Sequence, residues 1–331
     1  IPKLSMRHLH DMSGNNLALS RKLRKGALQQ SCKGKQMDFR AILMGFAFAI
    51  MWSSAFTSAR IIVADASPLL ALSLRYLISG LIGVGIALYL GQNWRLTKAQ
   101  WRATIIFGIL QNAVYLGLNF IAMQSIEASL AAIIASTMPL LVGLAAWLFL
   151  GERLRPLGIM GLVAGVIGVA LIMGARLDGS VDMVGVMMCA IAVVALTIAT
   201  LLVRGATSGG NFMMIVGLQM LVGCVTLSFA TLLFETPRID PSWPLAIAFT
   251  YTCLVPGLAA TVVWFWLVNW TGATRAATFH FLNPFFGVAV AAFFLSETIG
   301  ARDILGVVII AGGILAVQLS RQSDGKKSEQ K

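Results

Sequence analysis

The stretch ASLAAIIASTMPLLVGLAAWLFLGERLRPLGIMGLVAGVIG (residues 128–168) recurs, without a gap, as ATRAATFHFLNPFFGVAVAAFFLSETIGARDILGVVIIAGG (residues 273–313). At this offset of 145 residues, Pro139 pairs with Pro284, Glu152 with Glu297, Gly161 with Gly306 and Gly168 with Gly313. Matches such as Ala128/Ala273, Ala146/Ala291 and Leu150/Leu295 carry little weight in apolar helices. A proline, a glutamate and two glycines in one register carry much more. An offset of 140 also aligns Gly45/Gly185, Thr57/Thr197 and Val63/Val203.

Composition gives the repeat its setting. Of 331 residues, 58% are apolar and 11% charged, against about 25% charged in a soluble domain. That excludes a disordered chain, a secreted disulfide scaffold and a soluble enzyme. Apolar runs near the ~20 residues a spanning helix needs fall at 41–63, 68–90, 101–123, 128–150 and 156–174. A second set falls at 181–203, 211–234, 245–268, 274–295 and 303–320. Pro68, Pro156 and Pro244 stand where helices begin, the place where proline forfeits no hydrogen bond. Barrel strands would be about 10 residues long with strict alternation, and the sequence has none. The fold class is therefore an all-α polytopic membrane protein with ten transmembrane helices.

Ten helices in two copies means five per copy, and five is odd. The second copy must then enter the membrane from the opposite side, giving two inverted five-helix repeats related by a pseudo-two-fold axis in the membrane plane. Such symmetry is characteristic of alternating-access carriers, with the site near the midplane between repeats. The expected organisation is a basic tail over 1–38, a first repeat over 39–176, a second over 177–320 and a tail over 321–331.

Basic residues set the expected orientation. Nine of the 25 lie in residues 1–40 and four follow Leu319. Loops on the side of the first tail carry Arg95, Lys98, Arg102, Arg153, Arg155, Arg204 and Arg275; the other side has Arg60, Arg176, Arg238 and Arg302. Both termini are expected in the cytoplasm. The net charge of +12 reflects this topology and attraction to anionic membrane lipids, and no nucleic-acid partner is expected. Residues 1–36 are polar and basic, read as disordered, and lack the apolar core of a cleavable signal; Met37 reads as a natural start. Cys32, Cys189, Cys224 and Cys253 lack metal-like spacing, so no disulfide and no metal site is expected.

Taken together, Glu127-Ala-Ser-Leu-Ala-Ala, Pro139, Leu150-Gly-Glu152, Gly161 and Gly168, repeated from Ala273 to Gly313, resemble the ten-helix EamA-type branch of the drug/metabolite transporter superfamily. Leu74-Arg75-Tyr76 and Trp52-Ser53-Ser54 fit the same pattern, and the resemblance covers about residues 39–320. Within that branch the chain is most similar to bacterial aromatic amino-acid exporters. The resemblance implies a bacterial inner-membrane carrier. Its cavity would be lined by spans 1, 3, 4, 6, 8 and 9, with spans 5 and 10 peripheral.

Several residues are candidates for that cavity. Asn112, Tyr115 and Asn119 fall at i, i+3 and i+7, one face of a regular helix, and polar groups in hydrocarbon need partners or water. Interhelical hydrogen bonding is the plainer alternative. Trp52, Phe56, Tyr115, Trp264, Trp266 and Phe281 offer an aromatic lining, with His280 and Asn283 beside Phe281 as further substrate contacts. Pro139, Pro256 with Gly257, and Pro284 are expected hinges, because each proline removes a backbone bond within a span. His280 is the one histidine in a span, and no carboxylate lies near the middle of any span. Proton coupling, if the carrier uses it, would therefore run through His280 or through exposed carboxylates. Arg75 is read as structural, reaching the interface or pairing with Asp65. Trp94, Trp101, Trp147, Trp243 and Trp270 read as interfacial anchors.

Glycine stripes at Gly158, Gly161, Gly165 and Gly168, and at Gly306, Gly312 and Gly313, favour close helix packing, within a sufficient monomer or across a dimer. No catalytic constellation and no cofactor site is visible. The expected function is export of amino acids, aromatic ones included, and related metabolites, by uniport or weak proton coupling. The alternative is multidrug efflux of flat aromatic cations.

Overall fold

A computed structural model describes residues 39–151, 155–174, 181–202, 211–271 and 273–328. The chain divides into two compact units, residues 1–42 and 43–331; of the first, only the opening turn of a helix lies among the described residues. The tail expected over 1–38, Cys32 and Glu152 lie outside them.

Among the described residues, ten helices are long and apolar enough to cross a bilayer. They are α1 (Phe39–Asp65), α2 (Pro68–Tyr89), α3 (Lys98–Ala122), α4 (Ala128–Phe149), α5 (Pro156–Gly174), α6 (Met183–Leu202), α7 (Phe212–Phe234), α8 (Trp243–Val268), α9 (Ala276–Leu295) and α10 (Ala301–Ser320). Lys98 and Arg102 thus fall inside α3. There a capping box between Thr97 and Gln100 satisfies two otherwise free N–H groups and starts the helix a turn early.

Four of the ten depart from regular α-helix along their length. Helix α4 stops at Ser136 and restarts at Met138, with Pro139 in the first turn of the new segment. Helix α9 passes through a 3-10 turn, Phe279–Leu282, before Asn283–Leu295, with Pro284 again at the start. The two prolines therefore open fresh helical segments, where a missing N–H is harmless. Pro256 is accommodated differently, inside a π-helical segment Cys253–Ala259. Helix α3 contains a second π segment, Gly108–Tyr115.

Repeat positions behave alike at the helix ends. Gly151 closes α4 with φ of 66°, and Ser296, 145 residues on, closes α9 with φ of 55°. The left-handed cap is natural for glycine and strained for serine, so the turn has been kept where the preferred residue has not.

Helices α5 and α10 pack through their glycines. A Cβ placed on Gly161 would lie 2.6 Å from the carbonyl oxygen of Gly313, and one on Gly168 would lie 2.9 Å from that of Gly306. The contacts run in opposite chain directions, so the helices are antiparallel. The pattern is also reciprocal, since each glycine touches the repeat mate of the other pair's member, as at a two-fold contact. Helices α2 and α7 approach as closely, the would-be Cβ of Gly83 lying 3.2 Å from the Gly217 Cα. The core lies between these pairs, with Phe48, Ile62, Leu72, Phe120, Met123 and Leu130 fully buried. Cys189, Cys224 and Cys253 are buried free thiols.

The loops that follow α1 and α7 are laced together by hydrogen bonds. Asp65 accepts from the Ser242 hydroxyl, the Ser67 N–H donates to the Arg238 carbonyl at 2.9 Å, and the Ser67 hydroxyl donates to the Thr236 carbonyl at 3.1 Å. Glu235 caps the start of α2, its carboxylate accepting from Leu69 N at 2.9 Å and Leu70 N at 3.1 Å. Glu297 does the same for α4, accepting from Ala128 N at 2.8 Å and Ser129 N at 3.0 Å. Carboxylates here meet the positive end of the helix dipole as well as unsatisfied donors. Exposed Asp240 pairs with Arg238, whose hydrogen bonds hold its carboxyl below the ordinary range.

Candidate functional site

Two small cavities lie side by side in the core. The first, of about 40 Å³, is lined by Trp52, Ala55, Phe56 and Ala59 of α1, Arg75 of α2, Gln111, Tyr115, Leu116 and Phe120 of α3, Met123 just beyond it, and Pro256 of α8. The second, of about 30 Å³, is lined by Trp52, Ser53 and Phe56, by Tyr115, by Ala132, Ala135, Ser136, Met138 and Pro139 of α4, by Leu196 of α6, and by His280 and Asn283 of α9. Trp52, Phe56 and Tyr115 belong to both and form the wall between them. A water needs roughly 10–15 Å³ by this kind of measure, so each cavity holds about two to four waters. An amino acid enters only if that aromatic wall moves.

On the side of the cavities where Gly45 lies, the core is filled by stacked rings. Trp264 packs against Phe48 at 4.7 Å between centroids and against His280 at 5.1 Å. His280 stands edge-on to Phe48 at 5.4 Å, and Trp52 covers Phe48 at 5.7 Å. Below them the Phe279 ring occupies the space that a side chain on Gly45 would need. On the opposite side Arg60 donates to the Met123 carbonyl, beneath the loop lacing.

The structure brings together Trp52, Phe56, Tyr115, His280, Asn283, Pro139 and Pro256 from the expected set, with Gly257 and Pro284 adjacent in sequence. It separates others. Asn112 donates to the Gln219 carbonyl of α7 at 2.8 Å. Asn119 donates to the Tyr115 carbonyl at 2.7 Å and accepts from the Cys189 thiol. Neither lines either of these two cavities. The reason is the π segment over Gly108–Tyr115, whose i to i+5 bonding abolishes the shared face that regular spacing implies. Trp264 belongs to the ring stack, not to a cavity wall; Phe281 packs on the core; Trp266 is 60% exposed and faces outward.

Arg75 corrects the sequence reading most. It lies only 5% exposed on the first cavity, and Asp65 bonds to Ser242 instead of to it. Its Nε has no hydrogen-bond partner, and the guanidinium carbon lies 5.3 Å from the centroid of the Tyr76 ring. Helix α2 therefore joins the lining. Gln111 on the first cavity and Ser136 on the second are further polar lining residues that sequence spacing did not single out. The Asn283 amide bonds the His280 ring at 3.0 Å through its nitrogen, while its buried oxygen has no partner. Ser53 donates to the Asn283 carbonyl across the α1–α9 contact at 3.1 Å.

Comparison with known proteins finds transporters similar to this chain. The pattern of the EamA-like transporter family matches residues 39–174 and again residues 183–319. The uncharacterized transporter YvbV of Bacillus subtilis (strain 168) is 27% identical over 278 residues, covering 84% of this chain and 90% of that protein. The uncharacterized transporter YoaV of the same organism is 24% identical, covering 80% and 92%. The aromatic amino acid exporter YddG of Ancylobacter novellus is 29% identical over 139 residues, 42% of this chain and 48% of that one. A solved crystal structure superposes with a TM-score of 0.62 at 21% identity, over 85% of this chain and 97% of that chain; the likeness is of fold alone.

Proposed function

Because the chain belongs to the EamA-like transporter family, a multi-pass membrane protein that moves a small-molecule substrate, we propose that it exports amino acids, aromatic ones included, across the bacterial inner membrane by alternating access. One observation carries the choice of substrate. Trp52, Phe56 and Tyr115 stand between two cavities whose other walls hold Arg75 and Gln111 on one side and His280 and Asn283 on the other. An aromatic wall with polar ends suits an apolar side chain on a charged head. YddG, similar over part of the chain, is itself an aromatic amino acid exporter. Arg75 on the cavity weighs against flat aromatic cations, which would meet like charge there.

The transport cycle follows from the breaks. Two inverted repeats rock about the cavities, bending where α4 and α9 restart at Pro139 and Pro284 and where α8 loosens at Pro256 and Gly257. The reciprocal glycine contacts of α5 and α10 support that symmetry, and because Gly161, Gly165, Gly168, Gly306 and Gly313 are all packed within one chain, a monomer suffices. The basic loops keep both termini cytoplasmic. His280 is engaged by Asn283 and by rings, which favours transport driven by the substrate gradient. No chemistry is performed on the substrate.

The test is uptake of labelled phenylalanine and tryptophan into proteoliposomes holding the purified protein, with and without an imposed pH gradient. Saturable uptake indifferent to the gradient is expected. Absence of uptake for either amino acid under both conditions rejects the substrate assignment.

A further inference from the structure

We propose that Arg75 is the receptor for the carboxylate of the transported substrate, so that this carrier selects molecules bearing a carboxylate. The substrate's being an amino acid rests on the function proposed above; the carboxylate site does not.

Arg75 is buried, lines the first cavity and forms no ion pair or hydrogen bond among the described residues; its Nε is sealed from solvent and unsatisfied. A guanidinium stays charged in proteins and carries five donors in a planar fork. Buried charges in membrane interiors are rare, are paired or face an aqueous path, and mark the route of a substrate. Among the described residues no carboxylate bonds to it, and the face of the Tyr76 ring, 5.3 Å from the guanidinium carbon, carries no full charge. Asp65 is held by Ser242, Glu235 by the first turn of α2, and Ser79 turns its hydroxyl to the Cys253 carbonyl at 3.3 Å. Gly257 of α8 lies beside the fork, its would-be Cβ 3.9 Å from Nη2, an ordinary van der Waals distance. The π segment around Pro256 brings that backbone to the cavity. The missing partner is thus an anion that arrives through the cavity, and a carboxylate matches the fork with two parallel hydrogen bonds. Tyr115 and Phe56, on the same wall, then meet whatever apolar group the carboxylate carries.

The test uses the full chain in detergent and in proteoliposomes. Binding of phenylalanine, 3-phenylpropionate and phenethylamine is measured for the wild type, Arg75→Gln and Arg75→Lys by quenching of tryptophan fluorescence. Monodispersity and thermal unfolding verify that each variant is folded. The two carboxylates should bind the wild type and lose at least tenfold in affinity in Arg75→Gln, with partial recovery in Arg75→Lys, which keeps charge but not the fork. Phenethylamine, lacking a carboxylate, should bind weakly and equally to all three. If phenethylamine binds the wild type as well as phenylalanine does, or folded Arg75→Gln binds carboxylates normally, the proposal is overturned. If Arg75→Gln does not fold, the wild-type preference and the Arg75→Lys loss decide it. Binding of 3-phenylpropionate that depends on Arg75, without phenylalanine transport, would reject the amino-acid reading and keep the carboxylate site. Binding of none of the three probes overturns both.

Discussion

Gly161 of α5 and Gly313 of α10 meet backbone to backbone, a Cβ on either one lying 2.6 Å from the carbonyl oxygen of the other. In lipid, helices associate by packing and not by escape from water, so this contact holds the α5–α10 pair together. Gly161→Ala should lower stability by about 1–3 kcal/mol, the usual effect of forcing extra atoms into a packed interface. Gly312, next to Gly313, has open space around it. Gly312→Ala should therefore be neutral or slightly stabilising, since alanine favours helix. Thermal unfolding of the two variants in the same detergent checks the pair; equal effects would contradict it.

Glu297 supplies two acceptors to the first turn of α4 from a loop 169 residues away. Glu297→Ala should cost about 1 kcal/mol, as losing an N-terminal cap does. Glu297→Gln keeps an acceptor and should cost less. Guanidinium or thermal melts ranking wild type above Gln above Ala would agree with this; an unchanged Ala variant would not.

Asp182, exposed at the start of α6, accepts from the Ser125 hydroxyl at 2.6 Å and from Val184 N at 3.0 Å. The Ser125 bond first, then that from Val184, pull its carboxyl below the ordinary value of 3.8. A depressed value in the folded state stabilises the fold above the ordinary value, and that stabilisation disappears as pH falls through the lowered one. The difference in melting temperature between wild type and Asp182→Ala should hold at neutral pH and narrow as the medium is acidified below 3.8. A gap independent of pH would show the carboxylate's charge to be irrelevant.

Pro284 opens the second segment of α9 beside the cavity residues His280 and Asn283. Pro284→Ala lets the helix run on through the 3-10 turn, removing the bend without touching the aromatic wall. Turnover should fall severalfold while the substrate concentration for half-maximal transport changes little, as for a step that follows binding. Phe56→Ala should do the reverse, weakening half-saturation more than turnover. Initial rates over a range of phenylalanine concentrations separate the two.

The ten helices were legible because each one fills a bilayer with apolar residues, and α5 falls over the same residues, 156–174, in sequence and structure. The aromatic wall of Trp52, Phe56 and Tyr115 was legible for a related reason: large rings deep in spans need a place. The asparagines were misplaced because their spacing was read on a regular helix, and nothing in Gly108–Tyr115 announces a π segment. Arg75 was misread because a charge seven residues into a span looks able to reach water or Asp65. Only three-dimensional contacts reveal that Asp65 is already taken by Ser242.

Counterflow tests the central claim of alternating access most directly. Proteoliposomes loaded with unlabelled phenylalanine and diluted into a trace of labelled phenylalanine should accumulate label transiently above equilibrium, because each carrier that returns is reloaded from outside. Label that rises only to equilibrium, at a rate linear in concentration and indifferent to the internal load, would contradict the account and make the path a channel.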